Sequence, residues 1–293
     1  MAGAGGGVRL RQTQKPHDSR LFPAGKQGSA SGPRSRRCRG RPDGRPAPRD
    51  ARRPVCYNPP VTGSLEEPLS LADLYKVKQR IIEVGRRMYA RGMVAANDGN
   101  ISVRLGGGLF AVTATGVSKG FLTPDDVVVV DAQGKRIQGA KRATSEVKLH
   151  LFAFDKRPDV GACCHAHPPY ATAFAVSDRR LPRNLLPEVI LTVGGEIPVA
   201  PYATPSTQEL AASIADHVAD AEAFLLANHG ALTLGADLQQ AYHRLETLEH
   251  YARIAWLALT LGEARPLPAG ESDRLWCVSR GLDPECRGGD EEA

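Results

Sequence analysis

The sequence contains no apolar run of about 18 residues, the length that a membrane-spanning helix requires. Its amino-terminal region lacks the apolar stretch of a secretory signal peptide. No segment is repeated within the 293 residues, so a repeat architecture is not expected. These absences argue against a membrane partner and against secretion. They leave a chain whose length suits one large domain or two small ones.

The six cysteines include no Cys-x-x-Cys pair, and their spacing does not indicate a disulfide framework. Cys163 and Cys164 are adjacent within an apolar run, which is typical of reduced thiols in a core. We therefore expect a cytoplasmic protein. Cys163 shares a predicted strand face with His165, which makes it a weak candidate for a metal ligand. The other four are Cys38, Cys56, Cys277 and Cys286.

Positive charge is concentrated at the amino terminus. Residues 1–60 hold fourteen lysines and arginines against three aspartates, so this segment carries a formal charge of +11 and the rest carries −5. Glycine, proline, serine and arginine dominate it, and apolar residues are scarce. Residues 1–66 are therefore predicted to form a disordered basic tail. A basic tail can attract nucleic acid, but a solvated extension is favoured, so no nucleic-acid partner is expected.

Helical and strand periodicities begin near Ser70 and end near Leu261. The order is helix, several strands, helix, strand, helix, strands and a long final helix. This order predicts an α/β fold, namely a single domain with a central, mostly antiparallel sheet covered by helices. We assign residues 67–264 to this domain and residues 265–293 to a polar C-terminal tail.

Three histidines lie at predicted strand ends. His165 and His167 are two residues apart after an apolar run, so they should project from one face of a strand. His229 follows a second apolar run and precedes a turn at Gly230. Three imidazoles placed in this way can form a zinc site with one open position. The His-x-His pair alone is a weak signal, because core and surface histidines are more common than metal ligands.

Two polar segments are candidate anion sites. The run from Thr115 to Gly120 combines two glycines, hydroxyls and a lysine, and exposed N–H groups there could cradle an anion. Taken alone, the run is more typical of an ordinary turn. Thr144 or Ser145 should cap the next helix, whose amino terminus is also suited to an anion. Taken alone, Glu146 in its first turn is better explained by the helix dipole.

Together these motifs resemble those of the class II aldolase/adducin family, which includes the L-fuculose-1-phosphate aldolases. The resemblance spans roughly residues 70–262, nearly all of the predicted domain. Several ordered motifs at compatible intervals are more specific than any one of them. The motifs are Gly99-Asn100-Ile-Ser102, Thr115-Gly116, Ser145-Glu146, Arg157-Pro158-Asp159, His165-Ala-His167, Ala200-Pro-Tyr202-Ala-Thr204 and Asn228-His229-Gly230.

The resemblance implies that His165, His167 and His229 hold a catalytic zinc ion. It implies that Glu146 is the acid/base carboxylate and can also contact zinc. The implied reaction is cleavage of a ketose 1-phosphate into dihydroxyacetone phosphate and an aldehyde, through a zinc-stabilised enediolate in a homotetramer. The implied phosphate-binding residues are Asn100, Thr115, Gly116, Thr144 and Ser145.

Other activities of the same fold stay open: sugar-acid phosphate decarboxylase, methylthioribulose-phosphate dehydratase and pentulose-phosphate 4-epimerase. The 4-epimerases of this fold have an aspartate where this chain has Glu146, which counts against epimerase activity. A non-catalytic adducin-like binding module is less favoured, because such domains lack the full histidine set. One position departs from the aldolases: Glu188 lies near the place of their tyrosine and offers a different hydrogen-bond pattern to the aldehyde half of a substrate.

Overall fold

The computed structural model of the chain describes residues 70–194 and 197–286. The predicted basic tail at residues 1–66 lies outside these ranges and stays a prediction. Among the helices described, none is long and apolar enough to cross a membrane.

Eight strands in the described part of the chain form one sheet. They are β1 (Asn100–Gly106), β2 (Leu109–Thr113), β3 (Val127–Asp131), β4 (Arg136–Gln138), β5 (Ala162–Ala166), β6 (Val199–Ala200), β7 (Ala223–Leu226) and β8 (Gly230–Gly235). Their order across the sheet is β4-β3-β2-β1-β5-β8-β7-β6. Neighbouring strands are antiparallel, except that β6 runs parallel to β7. The predicted α/β fold with a mostly antiparallel central sheet is confirmed.

Seven α-helices in the same ranges pack around this sheet. They are α1 (Leu71–Ala90), α2 (Val147–Lys156), α3 (Pro169–Ala175), α4 (Pro187–Val193), α5 (Gln208–Ala212), α6 (Leu238–Leu261) and α7 (Glu271–Ser279), with 3₁₀ turns at Lys119–Phe121 and Pro124–Asp126. Side-chain caps fix where the two longest begin. Ser70 accepts a hydrogen bond from the Asp73 N–H at the start of α1, and Asp237 accepts one from Gln240 N–H at the start of α6.

The sheet separates two apolar clusters, because successive side chains of a strand point to opposite faces. In β5, Cys164 joins the cluster that includes residues of α1, α3, α4 and α6. Cys163 joins the opposite cluster, which includes residues of α2 and α5. His165 has the parity of Cys163, so its fully buried ring lies on the α2 side of the sheet.

The start of α2 differs from the prediction. Thr144 and Ser145 do not cap the helix; it begins at Val147, and Glu146 is its first flanking residue. The reason is a pairing across the sheet edge, where Ala114 bridges Ala143 in antiparallel fashion. That bridge holds the preceding backbone extended, so the helix cannot begin earlier.

The segment after residue 264 also differs from the prediction of a polar tail. It contains α7, which packs against α4, and Leu275 and Trp276 pack against the apolar cluster on that face. A nine-residue helix with few large apolar residues gives a weak periodic signal. The helix is stabilised by packing of α7 against α4, a tertiary contact that the local sequence does not indicate.

Two cysteines are paired, although the cysteine spacing does not indicate a disulfide framework. Cys277 on α7 forms a disulfide with Cys286. Gly281, with φ of +64°, reverses the chain after the helix and returns Cys286 to it. Cys163 and Cys164 are free and buried, as expected.

Candidate metal centre

Three histidine rings meet at one end of the sheet. His165 lies in β5, His167 follows that strand, and His229 lies in the turn between β7 and β8. Because β5 and β8 are neighbours, these positions are adjacent. The ring centroids are 4.8–5.0 Å apart. One ring nitrogen from each histidine lies within 4.8 Å of the other two, which is a spacing that a single ion can bridge.

The turn before β8 is built to place His229 there. Asn228 adopts the left-handed conformation, with φ of +56°, which asparagine tolerates better than most residues. Gly230 follows with no room for a side chain: a Cβ there would lie 2.5 Å from the Ala166 carbonyl oxygen and 2.6 Å from the His167 ring. The β7–β8 turn can therefore approach the end of β5 only because this residue is glycine.

Backbone and side-chain partners orient two of the rings. The Nδ1 of His165 is 2.9 Å from the Ala231 carbonyl oxygen, so it donates a hydrogen bond there and the ring's lone pair is at Nε2. The Nδ1 of His167 faces the Asp98 carboxylate at 3.4 Å. The two Nε2 atoms then face each other at 3.2 Å. Two lone pairs at that separation repel unless a cation lies between them.

Glu146 brings a carboxylate to the same point. Its Oε2 is 3.1 Å from the His165 Nε2, and its Oε1 is 3.2 Å from the His229 Nε2. Asn100 donates a hydrogen bond from Nδ2 to Oε2 at 2.8 Å. Burial alone would raise the pKa of Glu146. When the ring nitrogens that face Glu146 carry protons, the charge of His165 and the hydrogen bonds from His165, His229 and Asn100 outweigh burial and hold that pKa well below its usual range.

These groups fit a zinc ion. Nitrogen and oxygen ligands about 2.0–2.1 Å from zinc in a tetrahedral arrangement lie about 3.3 Å from one another. Three of the separations in the structure, between 3.1 and 3.2 Å, are close to that value, and the three histidines offer nitrogens within 4.8 Å of one another. Imidazole and carboxylate are both ordinary zinc ligands. Burial lowers the pKa of His167 to about 4, with further contributions from His165 and His229, so its ring is neutral at pH 7, as a ligand must be.

The two predicted anion loops adjoin each other. The Ala114–Ala143 bridge places Thr115 and Gly116 beside Thr144 and Ser145. Thr115, Gly116 and Ser145 are exposed, and the space that a Cβ on Gly116 would enter is open.

Thr144 and Asn100 are buried instead. The Thr144 hydroxyl accepts a hydrogen bond from the Glu146 N–H at 3.3 Å. The Asn100 amide contacts Glu146, while its Oδ1 is buried with no partner in the described residues. Thr144 therefore connects one anion loop to Glu146, and Asn100 contacts Glu146 from β1. The phosphate-binding roles of both residues stay predictions.

Three further residues lie at this site without having been predicted. Asp98 contacts His167, although Asn97-Asp98-Gly99 reads only as turn chemistry. Ser102 and His150 form a buried pair, with Oγ and Nδ1 2.5 Å apart. Burial lowers the pKa of His150 to about 3, so this ring is neutral. Ser102 lies two residues after Asn100 and His150 four after Glu146, a periodicity that could have indicated this second layer.

Two other motif positions lie apart from the histidines. Arg157 donates hydrogen bonds to Asp159 and to the carbonyl oxygens of Val218 and Ala221, and it pairs with the buried Glu222. The Arg157-Pro158-Asp159 motif is therefore explained by packing at the start of β7. Glu188 is exposed in the first turn of α4, and no recorded ion pair in the described ranges joins it to the histidines.

The comparison with known proteins agrees with this arrangement. The family model of the Class II Aldolase and Adducin N-terminal domain matches residues 79–256. The chain belongs to the class II aldolase and adducin family. The matched range contains every residue of the histidine and Glu146 cluster.

Similar proteins include enzymes with different reactions. A 5-deoxy-D-ribulose 1-phosphate aldolase of Bacillus thuringiensis is 32% identical over 203 residues, covering 69% of this chain and 94% of the relative. A 3-oxo-tetronate 4-phosphate decarboxylase of Haemophilus influenzae is 34% identical, covering 60% of this chain and 85% of that protein. A solved L-fuculose 1-phosphate aldolase superposes with a TM-score of 0.64 at 34% identity, covering 69% and 94% of the two chains.

Replacing Gly230 with alanine is expected to displace the His167 ring. Zinc binding should weaken about tenfold, because groups that orient a metal ligand contribute that much to affinity. Zinc affinity can be measured by competition with a chromogenic chelator. Gly108→Ala is the control: the positive φ of Gly108, +72°, means that alanine costs backbone strain there, but no atom lies within 4 Å of its Cβ position. Equal zinc affinity in the two variants would contradict the proposed close approach.

Proposed function

We propose that the chain is a zinc-dependent aldolase that cleaves a ketose 1-phosphate of the L-fuculose-phosphate type into dihydroxyacetone phosphate and an aldehyde. The observation that carries this proposal is the convergence of three histidine Nε2 atoms and the Glu146 carboxylate at one point. Hydroxyl and glycine loops suited to an anion adjoin it. A phosphorylated substrate would place its phosphate on those loops and its reacting carbons against the metal centre.

His165, His167 and His229 would hold the zinc ion, which when bound supplies a Lewis acid for the negative charge that develops on substrate oxygens. Breaking the carbon–carbon bond leaves an electron pair on one carbon of the ketone fragment. Glu146 is the group placed to exchange a proton at that carbon, and Asn100 fixes its orientation by a direct hydrogen bond. No lysine is needed to form a Schiff base.

The proposed phosphate contacts use the two adjoining loops. Thr115, Gly116 and Ser145 present exposed hydroxyl and N–H groups. Thr144 supplies a hydroxyl from the buried side. One Nδ2 hydrogen of Asn100 goes to Glu146, so the second is the hydrogen that this residue offers to the phosphate.

A decarboxylase is the second candidate, because the 3-oxo-tetronate 4-phosphate decarboxylase relative is as similar as the aldolases. Loss of carbon dioxide from a 3-oxo acid also leaves an electron pair next to a carbonyl group. The same metal ligands and the same Glu146 would therefore serve either reaction. The difference lies in the fragment that leaves: an aldehyde in the aldolase reaction, and carbon dioxide from the substrate carboxylate in the decarboxylase reaction.

A product assay separates the two reactions. Incubation with a set of ketose 1-phosphates is expected to release dihydroxyacetone phosphate, and chelator should abolish the release. His165→Ala should lose stoichiometric zinc and at least about 10²-fold in turnover, because the Lewis acid is lost. His243→Ala, at an exposed position on α6, is the control. If the protein releases carbon dioxide from sugar-acid phosphates and cleaves no ketose 1-phosphate, it is a decarboxylase. If the purified wild-type protein contains no zinc, both proposed reactions are rejected.

Replacing Glu146 with glutamine should leave zinc bound, because the three imidazoles remain. Turnover should fall by roughly 10²–10⁴-fold, the usual contribution of a positioned proton-transfer group. Steady-state kinetics with zinc analysis of the same sample measure both quantities. Glu83→Gln on the exposed face of α1 is the control. Turnover within a few-fold of wild type would remove Glu146 from proton transfer.

We also propose a homotetramer, on the basis of the family resemblance. Exposed apolar side chains on the described surface, including Phe121 at 70% and Leu261 at 90% exposure, offer area for subunit contacts. Light scattering should give a mass about four times the 31.4 kDa of one chain. A monomer at micromolar concentration would contradict this proposal.

A further inference from the structure

Lys119 is a buried cation next to the metal centre with no catalytic role in the proposed reaction. Only 1% of its surface is exposed. Its ammonium donates hydrogen bonds to two backbone carbonyl oxygens, that of Asn97 at 3.1 Å and that of Val117. Burying an ammonium group is costly in free energy, so the hydrogen bonds that Lys119 makes must offset that cost.

The bond to Val117 determines which way the neighbouring N–H group points. In a trans peptide the carbonyl and the following N–H lie on opposite sides. Since the Val117 oxygen points inward to Lys119, the Ser118 N–H points away from it. In the described residues, no carbonyl accepts a hydrogen bond from the N–H groups of Gly116, Val117 or Ser118. The Ser118 hydroxyl is also buried without a recorded partner.

The bond to Asn97 reaches the metal side of the site. Asn97 immediately precedes Asp98, which contacts His167, and lies three residues before Asn100, which contacts Glu146. One ammonium therefore ties the turn that supports the metal ligands to the loop that presents free N–H groups. No other residue among those described joins these two segments through hydrogen bonds from a single side-chain atom.

Close packing fixes Lys119 from the other side. A Cβ on Gly85 of α1 would lie 2.7 Å from the Lys119 carbonyl oxygen, so the helix approaches this backbone directly. A Cβ on Gly120 would lie 2.5 Å from the Tyr89 ring. The backbone at Lys119 is thus held against α1, and the side chain extends from it to the two carbonyls.

We infer that Lys119 is a positioning residue for the anion loop, holding it so that the N–H groups of Gly116, Val117 and Ser118 face a substrate phosphate. This inference rests on the proposed function, because it assumes that the loop binds the phosphate of the substrate. The ammonium acts from behind the loop through hydrogen bonds and its charge. It does not contact the reacting atoms.

The protonation of Lys119 gives the inference a pH dependence. Burial lowers the pKa of Lys119 to about 8, against the opposing effects of Asp98 and Asp126, and Lys141 in turn pairs with Asp126. The lowered value means that the ammonium is present at pH 7 and is lost as the pH rises through 8. Phosphate affinity of the wild type should therefore fall between pH 7 and pH 9.5.

The test measures binding of inorganic phosphate to the zinc-loaded protein. Lys119→Met removes the charge and both hydrogen bonds and should weaken phosphate binding about tenfold, with zinc content unchanged. It should raise KM for a phosphorylated substrate more than it lowers kcat. Lys156→Met, on an exposed side chain of α2, is the control. The fall in affinity above pH 8 should disappear in Lys119→Met.

Two results would overturn the inference: phosphate affinity within twofold of wild type in folded, zinc-loaded Lys119→Met, or wild-type affinity that does not change between pH 7 and 9.5. If Lys119→Met does not fold, Lys119→Gln keeps one donor without charge and takes its place. Phosphate binding is measured without turnover. A failure of the proposed aldolase reaction therefore appears separately, in the product assay and the zinc analysis.

Discussion

The whole site depends on keeping four electron-rich groups together. Nε2 of His165 faces that of His167 at 3.2 Å, and the Glu146 carboxylate lies 3.1–3.2 Å from two of the rings. Without a cation such groups repel, so the fold must supply the energy that holds them in place. It does so through backbone pairing: β5 and β8 are adjacent and carry or adjoin the three histidines, and β1, on the other side of β5, carries Asn100, which holds Glu146.

That arrangement imposes requirements on the turns next to it. Gly230 must lack a side chain for β8 to approach β5, and a Cβ on Gly99 would lie 2.8 Å from the His165 carbonyl oxygen. Asn228 must accept left-handed backbone. Glycine and left-handed backbone are both unfavourable in strands, and here they occur next to the converging ligands. The rest of the sheet follows ordinary alternation, with apolar residues on both faces.

Sequence periodicity predicted the parts that depend on local pattern. The two-residue spacing of His165 and His167 places both at one strand end, and the apolar run before His229 predicts a strand ending there. It could not predict the contact of Asp98 with His167 or the bonds of Lys119 to the Asn97 and Val117 carbonyls, because these contacts depend on how the intervening chain folds. Helix α7 was missed for a related reason: its burial comes from contact with α4.

Asn100 shows why the metal and anion halves cannot be treated separately. Its Nδ2 group contacts Glu146, so any substrate phosphate that engages the second amide hydrogen also fixes the carboxylate. Lys119 makes a second connection, through Asn97 and Val117, behind the same loops. Occupation of the phosphate position would thus order Glu146 and the Asp98–His167 pair together. A substrate without its phosphate should lose rate as well as affinity, because remote binding energy positions the reacting groups.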